Sequence, residues 1–146
     1  MKKALDKDPG DANLPVILGN LSVLKRDADS ALTWYDRALE TNPKSVDAHL
    51  KKGSLLFAMG RQEEGEKEYR KAIGLSDDEE GIRLLLSRVF LNMRKLGDAE
   101  KELDYLIKEM GSQKARRALT EIKIETGKLD EAKELLHEIF KENLKD

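Results

Sequence analysis

Two histidines, one run of carboxylates and a scatter of arginines are the groups in this sequence with chemistry to offer. A catalytic base must lie within hydrogen-bond reach of the proton it takes, and is usually oriented by a third group. His49 and His137 stand far apart in the chain, each without a clear acid–base partner, and read as surface or packing histidines. Asp77, Asp78, Glu79 and Glu80 have the density of a cation site. Calcium loops need oxygen ligands at alternating positions, which this run lacks. Four carboxylates crowding a helix start instead suit its positive end. Cysteine is absent, which removes disulfides, thiol chemistry and cysteine-held zinc. The 10 glycines stand one by one, with no phosphate-cradling loop or dinucleotide fingerprint. No catalytic residue, metal site or cofactor is therefore expected, and the function must lie in a surface.

That surface is built by a repeating element. Ala31, Tyr35, Ala38 and Leu39 follow the helical period and line one face of a helix that Pro43 closes. The pattern returns 34 residues later as Gly65, Tyr69, Ala72 and Ile73. It returns again as Ala99, Leu103, Leu106 and Ile107, and as Ala132, Leu136, Ile139 and Phe140. A fixed period of this length implies a stacked helical array. Charged residues make up 38% of the chain and hydrophobic ones 39%, which at helical spacing means amphipathic helices with solvated outer faces. The net charge of −2 argues against nucleic acid as a partner. No apolar run is long enough for membrane insertion, and the first residues lack the apolar core of a signal peptide. A cytoplasmic location is the expectation.

Within each period a first helix precedes the one just described. Gly19 and Gly53 occupy one column of it, followed by Ser87 and Thr120, so this column predicts close helix contact with no room for a Cβ. Turns are expected at Gly60, Gly97-Asp98 and Gly127, Ser76 to Glu79 reads as a capping box, and Gly111-Ser112 ends one helix and caps the next. Repeat three has the most apolar first helix, with Ile82, Leu84, Leu85, Leu86, Val89, Phe90, Leu91 and Met93 around most of it.

Leu18-Gly19, Ala31, Tyr35, Ala38 and Pro43 resemble the tetratricopeptide repeat. The resemblance covers essentially the whole chain as repeats 12–45, 46–79, 80–112 and 113–146, after an N-terminal helical stub over 1–11. It implies an all-α, right-handed superhelical solenoid of antiparallel helix pairs. Pro15, His49, Arg83 and Arg116 replace the early tryptophan that is usual in the family, and the closing proline is kept only at Pro9 and Pro43. Ala4, Leu5 and Pro9 each precede Ala38, Leu39 and Pro43 by one period, so the chain is expected to be a fragment of a longer array.

The resemblance implies a scaffold that binds a peptide or amphipathic helix of another protein in a groove lined by the first helices. The groove-facing columns are Val16, Asn20, Val23 and Leu24, then Asp47, Leu50, Ser54 and Phe57. They continue as Leu84, Arg88, Leu91 and Asn92, then Lys114, Arg117, Glu121, Ile124 and Glu125. Some family members grip a terminal carboxylate with lysine, arginine and asparagine. Val16 and Leu50 break that set here, while Arg88, Asn92, Lys114 and Arg117 offer a partial substitute. Arg117 is also spaced to pair with Glu121 on its own helix, the reading favoured for it. Phe57, Leu84 and Leu91 suit either apolar anchoring of a ligand or the interhelical core. Self-association is the rival role, with weak homo-oligomerisation through Phe140 and Leu144, both expected to be exposed on the last helix.

Overall fold

The computed structural model describes residues 13–145, which form eight helices and no strand. Residues 1–11, with the proposed stub and Ala4, Leu5 and Pro9, lie outside the described residues. The chain divides into two compact units, one ending at Glu79 and the other beginning at Glu80.

The first unit contains α1 (Asn13–Leu24), α2 (Ala28–Thr41), α3 (Val46–Ala58) and α4 (Gln62–Leu75). Asp27 caps α2 by accepting from the Ser30 amide at 3.1 Å, and Ser45 caps α3 by accepting from Ala48 at 3.2 Å. Each cap satisfies an amide that the first helical turn leaves unpaired. Val16, Ala31, Tyr35, Ala38, Ala48 and Leu55 form one core cluster of this unit, with Leu32 and Leu39 packed against it, and Leu56, Phe57, Tyr69 and Ala72 are buried as well.

The second unit contains α5 (Glu79–Asn92), α6 (Leu96–Met110), α7 (Gln113–Glu125) and α8 (Leu129–Lys145). Its core joins Leu103 and Leu106 of α6 to Ala115, Leu119 and Ile122 of α7, and Leu84, Leu91 and Ile107 pack against them. Gly111 ends α6 in the left-handed region, and Ser112 caps α7 by accepting from Ala115 at 3.0 Å, as expected for that pair. The same Ser112 hydroxyl donates to Glu80 at 2.7 Å, so one carboxylate of the acidic run has a structural task.

Two local expectations are corrected. Ser76 is the C-cap residue of α4, and its hydroxyl accepts from Asp78 two residues on, at 2.9 Å, not from a helical third position. The turn before α6 lies at Arg94, not at Gly97-Asp98. Arg26, Gly60, Arg94 and Gly127 hold the same repeat position, and all take positive φ, of 60°, 80°, 60° and 76°. This position reverses the chain within a helix pair, and at Arg26 and Arg94 an L side chain tolerates it, which a search for glycine misses.

Close approach at the glycine column is what the structure shows. A Cβ at Gly19 would overlap the Tyr35 ring, and one at Gly53 would stand 2.8 Å from Tyr69. Gly65 closes on α3 in the same way, where a Cβ would lie 2.9 Å from the Gly53 carbonyl oxygen and 2.9 Å from the Phe57 ring.

His49 corrects the view that it lacks a partner. It is buried, with Nδ1 2.6 Å from Glu68 Oε2 and Nε2 2.8 Å from the Pro43 carbonyl oxygen. These two contacts engage both ring nitrogens. Lys52 joins the cluster, 2.7 Å from Asp36 and 3.7 Å from Glu68. Arg83 and Glu102 stand one period after His49 and Glu68, and are also paired, at 2.8 Å. Arg116 continues the cation column, but the carboxylate column holds Leu135, and Arg116 reaches instead toward Glu138 at 3.6 Å. In the first repeat the columns read Pro15 and Trp34, with no charge in either.

Two outcomes follow from this packing. Gly65→Ala should lower stability by about 1–3 kcal/mol, because the backbone of α3 blocks the new methyl. Gly74→Ala, also in α4 but with nothing within 4 Å, should raise it by about 0.5–1 kcal/mol. Urea denaturation of both variants checks the contrast. The second outcome concerns acid. Burial disfavours the charged Glu68 carboxylate, but the His49 hydrogen bond and the Lys52 and Lys71 charges outweigh it and hold Glu68 below its ordinary 4.5. A carboxylate with a lowered folded pKa stabilises the fold above its unfolded value, and that contribution is lost as pH falls through the folded one. Glu68→Gln should therefore flatten the acid limb of a stability–pH curve below about pH 4.5.

Candidate functional site

The first unit contains an open, largely apolar groove of about 400 Å³ between α1 and α3. Asn20, Val23 and Leu24 line it from α1, and Lys51, Ser54, Leu55 and Ala58 from α3, with Tyr35 of α2 beneath. These residues recur at three- and four-residue steps, so each helix presents one face to the groove. Val23 is 44% exposed and Leu24 79%, and neither is needed by the core.

The polar points of the groove are held from below. The Tyr35 hydroxyl donates to Asn20 Oδ1 at 2.7 Å. One period later, the Ser54 and Tyr69 hydroxyls bond at 2.7 Å. Burial raises the pKa of both tyrosines, so each hydroxyl keeps its proton. With its oxygen already engaged, Asn20 has its amide hydrogens left to donate to a ligand. The third and fourth repeats have Leu103 and Leu136 in the tyrosine column, with Arg88 and Glu121 in place of Asn20 and Ser54. This tethering therefore belongs to the first unit.

Of the expected wall residues in this unit, Asn20, Val23, Leu24 and Ser54 line the groove. Val16 is 5% exposed and belongs to the core with Ala31 and Tyr35, because it lies on the face of α1 turned to α2. Phe57 is 6% exposed, edge-on to Tyr69 with ring centroids 5.7 Å apart, because it fills the space over Gly65. Leu50 is half-buried outside the groove lining. Tyr35, Lys51, Leu55 and Ala58 were not on the expected wall. Lys51, Leu55 and Ala58 follow the same helical steps as Asn20, Val23 and Leu24, so their spacing carried the signal.

In the second unit, Leu84 and Leu91 are half-buried against the α6–α7 core, so their interhelical reading holds. Arg88, Asn92, Lys114 and Arg117 are exposed. Arg117 has no carboxylate partner among the described residues, which corrects its pairing with Glu121. Phe140 is 62% exposed and Leu144 71%. His137 is exposed, and no group of residues suited to hold a metal ion occurs among the described residues. No helix among them is long and apolar enough to cross a membrane.

Paired helices, the glycine–aromatic column and the left-handed turn at one repeat position define a helical-repeat protein. Comparison with known proteins finds the same kind of repeat over part of the chain. Residues 18–80 match the tetratricopeptide repeat family. Anaphase-promoting complex subunit 3 of Schizosaccharomyces pombe is 28% identical over 94 residues, which cover 64% of this chain. The matched stretch spans 14% of that protein's length. Among solved structures, MamA superposes with a TM-score of 0.67 at 19% identity, covering 99% of this chain and 85% of its own. Pseudomonas aeruginosa PilF gives 0.69 at 18% identity, with 96% and 64% covered. YrrB, described as a tetratricopeptide-repeat protein with an unusual peptide-binding site, gives 0.65 at 20% identity, with 96% and 73% covered. Over residues 18–80 the chain is thus similar to the tetratricopeptide repeat, and its all-α fold of antiparallel helix pairs is the fold of these solved structures.

Proposed function

We propose that this chain is a protein-interaction scaffold whose α1–α3 groove takes an apolar side chain from a peptide or amphipathic helix of a partner protein. The carrying observation is the groove, which leaves Val23, Leu24 and Ala58 in water beside two tethered polar points. Exposed apolar side chains with a few fixed polar groups suit side-chain capture combined with hydrogen bonds to a peptide backbone. Asn20 and Ser54 supply those bonds. Lys51 is the one charged side chain of the lining, so an acidic group beside the apolar anchor is favoured. In the second unit, Arg88, Asn92, Lys114 and Arg117 present exposed polar and cationic groups of their own. The peptide-binding site ascribed to YrrB supports this reading. Binding without catalysis fits the histidines, since His49 has both ring nitrogens engaged by Glu68 and Pro43.

Peptides selected by phage display against the chain test the proposal. Their addition should shift the amide resonances of Asn20, Lys51 and Ser54. Ala58→Glu fills the groove from an exposed position and should weaken the selected peptides by about tenfold or more, or about 1.4 kcal/mol. Its stability should stay within about 0.5 kcal/mol of the parent. Unchanged affinity, or shifts confined to other faces, would refute the groove as the site.

A further inference from the structure

The groove wall carries two polar groups tethered from beneath, and the tethers differ. Ser54 and Tyr69 meet as two hydroxyls of which either can be the donor, so Ser54 can turn a hydrogen or a lone pair to a ligand. At Asn20 the direction is set, because the Tyr35 hydroxyl donates to Oδ1 at 2.7 Å. Turning the amide over would place its hydrogens against that hydroxyl. The Tyr35 hydrogen would then have no acceptor among the described residues, since Asn20 is its one hydrogen-bond partner there. Tyr35 is buried, and burial first and the Asp47 charge second raise its pKa, so the hydrogen stays on the phenol oxygen. A buried donor left unpaired costs more than a made hydrogen bond contributes, so the amide keeps its oxygen on Tyr35.

What the groove meets at this point is therefore the pair of Asn20 Nδ2 hydrogens. Lys51 lines the groove from α3 and is likewise a donor with no lone pair. Asp47, one turn before Lys51, lies outside the lining. The second unit has Arg88 and Glu121 in the Asn20 column, with leucine in place of the tyrosine. Arginine only donates and a carboxylate only accepts, so those side chains need no tether to decide what they offer. An amide, with an acceptor on one side and a donor on the other, does need one.

We propose that Tyr35 is a positioning residue for binding: by holding Asn20 Oδ1 it commits the Asn20 amide to donate, so that the groove reads a backbone carbonyl of an extended segment of a partner protein. The proposal rests on the groove reading given above and narrows it. Along the run of a helix each carbonyl is taken by the amide one turn on, and only those of the last turn are free. An extended segment, unlike a helix laid along the groove, has a carbonyl to give to Asn20 while its apolar side chain lies against Val23 and Leu24.

The tether is tested first in the free chain. Tyr35→Phe keeps the ring on Gly19 and removes the hydroxyl, so nitrogen relaxation should show the Asn20 side-chain amide loosened while the Asn20 backbone amide stays as ordered as before. Peptides selected against the chain by phage display are then remade with each peptide bond replaced in turn by an ester, whose carbonyl is a weaker acceptor. One ester should weaken binding to the parent by about threefold to tenfold. The same ester should cost nothing further in Tyr35→Phe or in Asn20→Ala, a coupling that a merely structural role of Tyr35 would not produce. Asn20→Asp leaves an oxygen for Tyr35 but turns the donor into an acceptor, and should bind the peptides less well than Asn20→Ala; this arm decides the matter if Tyr35→Phe fails to fold. Tighter binding by Asn20→Asp would mean that Asn20 accepts from the ligand, and would overturn the proposal. So would unchanged Asn20 side-chain order in Tyr35→Phe, or an ester effect of equal size in the parent and the variants. Selected peptides that leave the Asn20 resonances unshifted would overturn the groove reading and this proposal together, whereas shifts at Asn20 without any ester effect would overturn this proposal alone.

Discussion

The flat contact between a tyrosine ring and a glycine backbone sets the spacing on which the first unit depends. At Gly19 and Gly53 the space a Cβ would need is filled by Tyr35 and Tyr69. A glycine in a helix interior costs about 1 kcal/mol against alanine, so its presence twice at one position calls for a compensating contact. The ring supplies it by covering the backbone and by carrying its hydroxyl out toward the groove. There Tyr35 holds Asn20 and Tyr69 holds Ser54. One side chain thus fixes the approach of two helices and orients a polar group on the exposed face. Where the ring is lost, at Leu103 and Leu136, the glycine is lost too, and Ser87 and Thr120 take its place. Their hydroxyls turn inward to the carbonyls of Leu84 and Arg116, both at 2.7 Å.

A second coupling works across two of the helix pairs, α3–α4 and α5–α6. Buried His49 and half-buried Arg83 each pair with a carboxylate 19 residues later, Glu68 and Glu102. Removing one partner of a buried ion pair costs far more than the intact pair contributes, so such a pair fixes helix register more than it adds stability. His49 also holds the Pro43 carbonyl, which ties the α2–α3 turn to α4.

Much of this fold was legible in the sequence because the period carries it. The second-helix stripe placed Tyr35, Ala38, Tyr69, Ala72, Leu103 and Leu106 in the core, and all six are buried. The glycine column predicted contact without a Cβ. The repeat also placed Phe140 and Leu144 on an open face. What escaped depends on pairs of columns. His49 seemed unpartnered because Glu68 lies on another helix and only the fold brings them together. The turn before α6 was placed at Gly97 because glycine is the usual residue at positive φ, whereas Arg94 occupies the site. The groove wall was misread at Val16 and Phe57 because a helical period fixes spacing but leaves the rotation of the helix open by one column. That rotation separates core from surface, and it put Lys51, Leu55 and Ala58 out of sight.

The contacts that hold the first unit together thus also orient the polar points of its groove, and the ring–glycine pair is the one to test. A double-mutant cycle on Gly19→Ala and Tyr35→Leu, read as unfolding free energy in urea, isolates it. In the Tyr35 background, Gly19→Ala should destabilise despite the better helix propensity of alanine. In the Tyr35→Leu background the same change should be neutral or stabilising, giving a coupling energy of about 1 kcal/mol or more. Additivity within about 0.5 kcal/mol would mean that ring and glycine act independently, and would contradict the account.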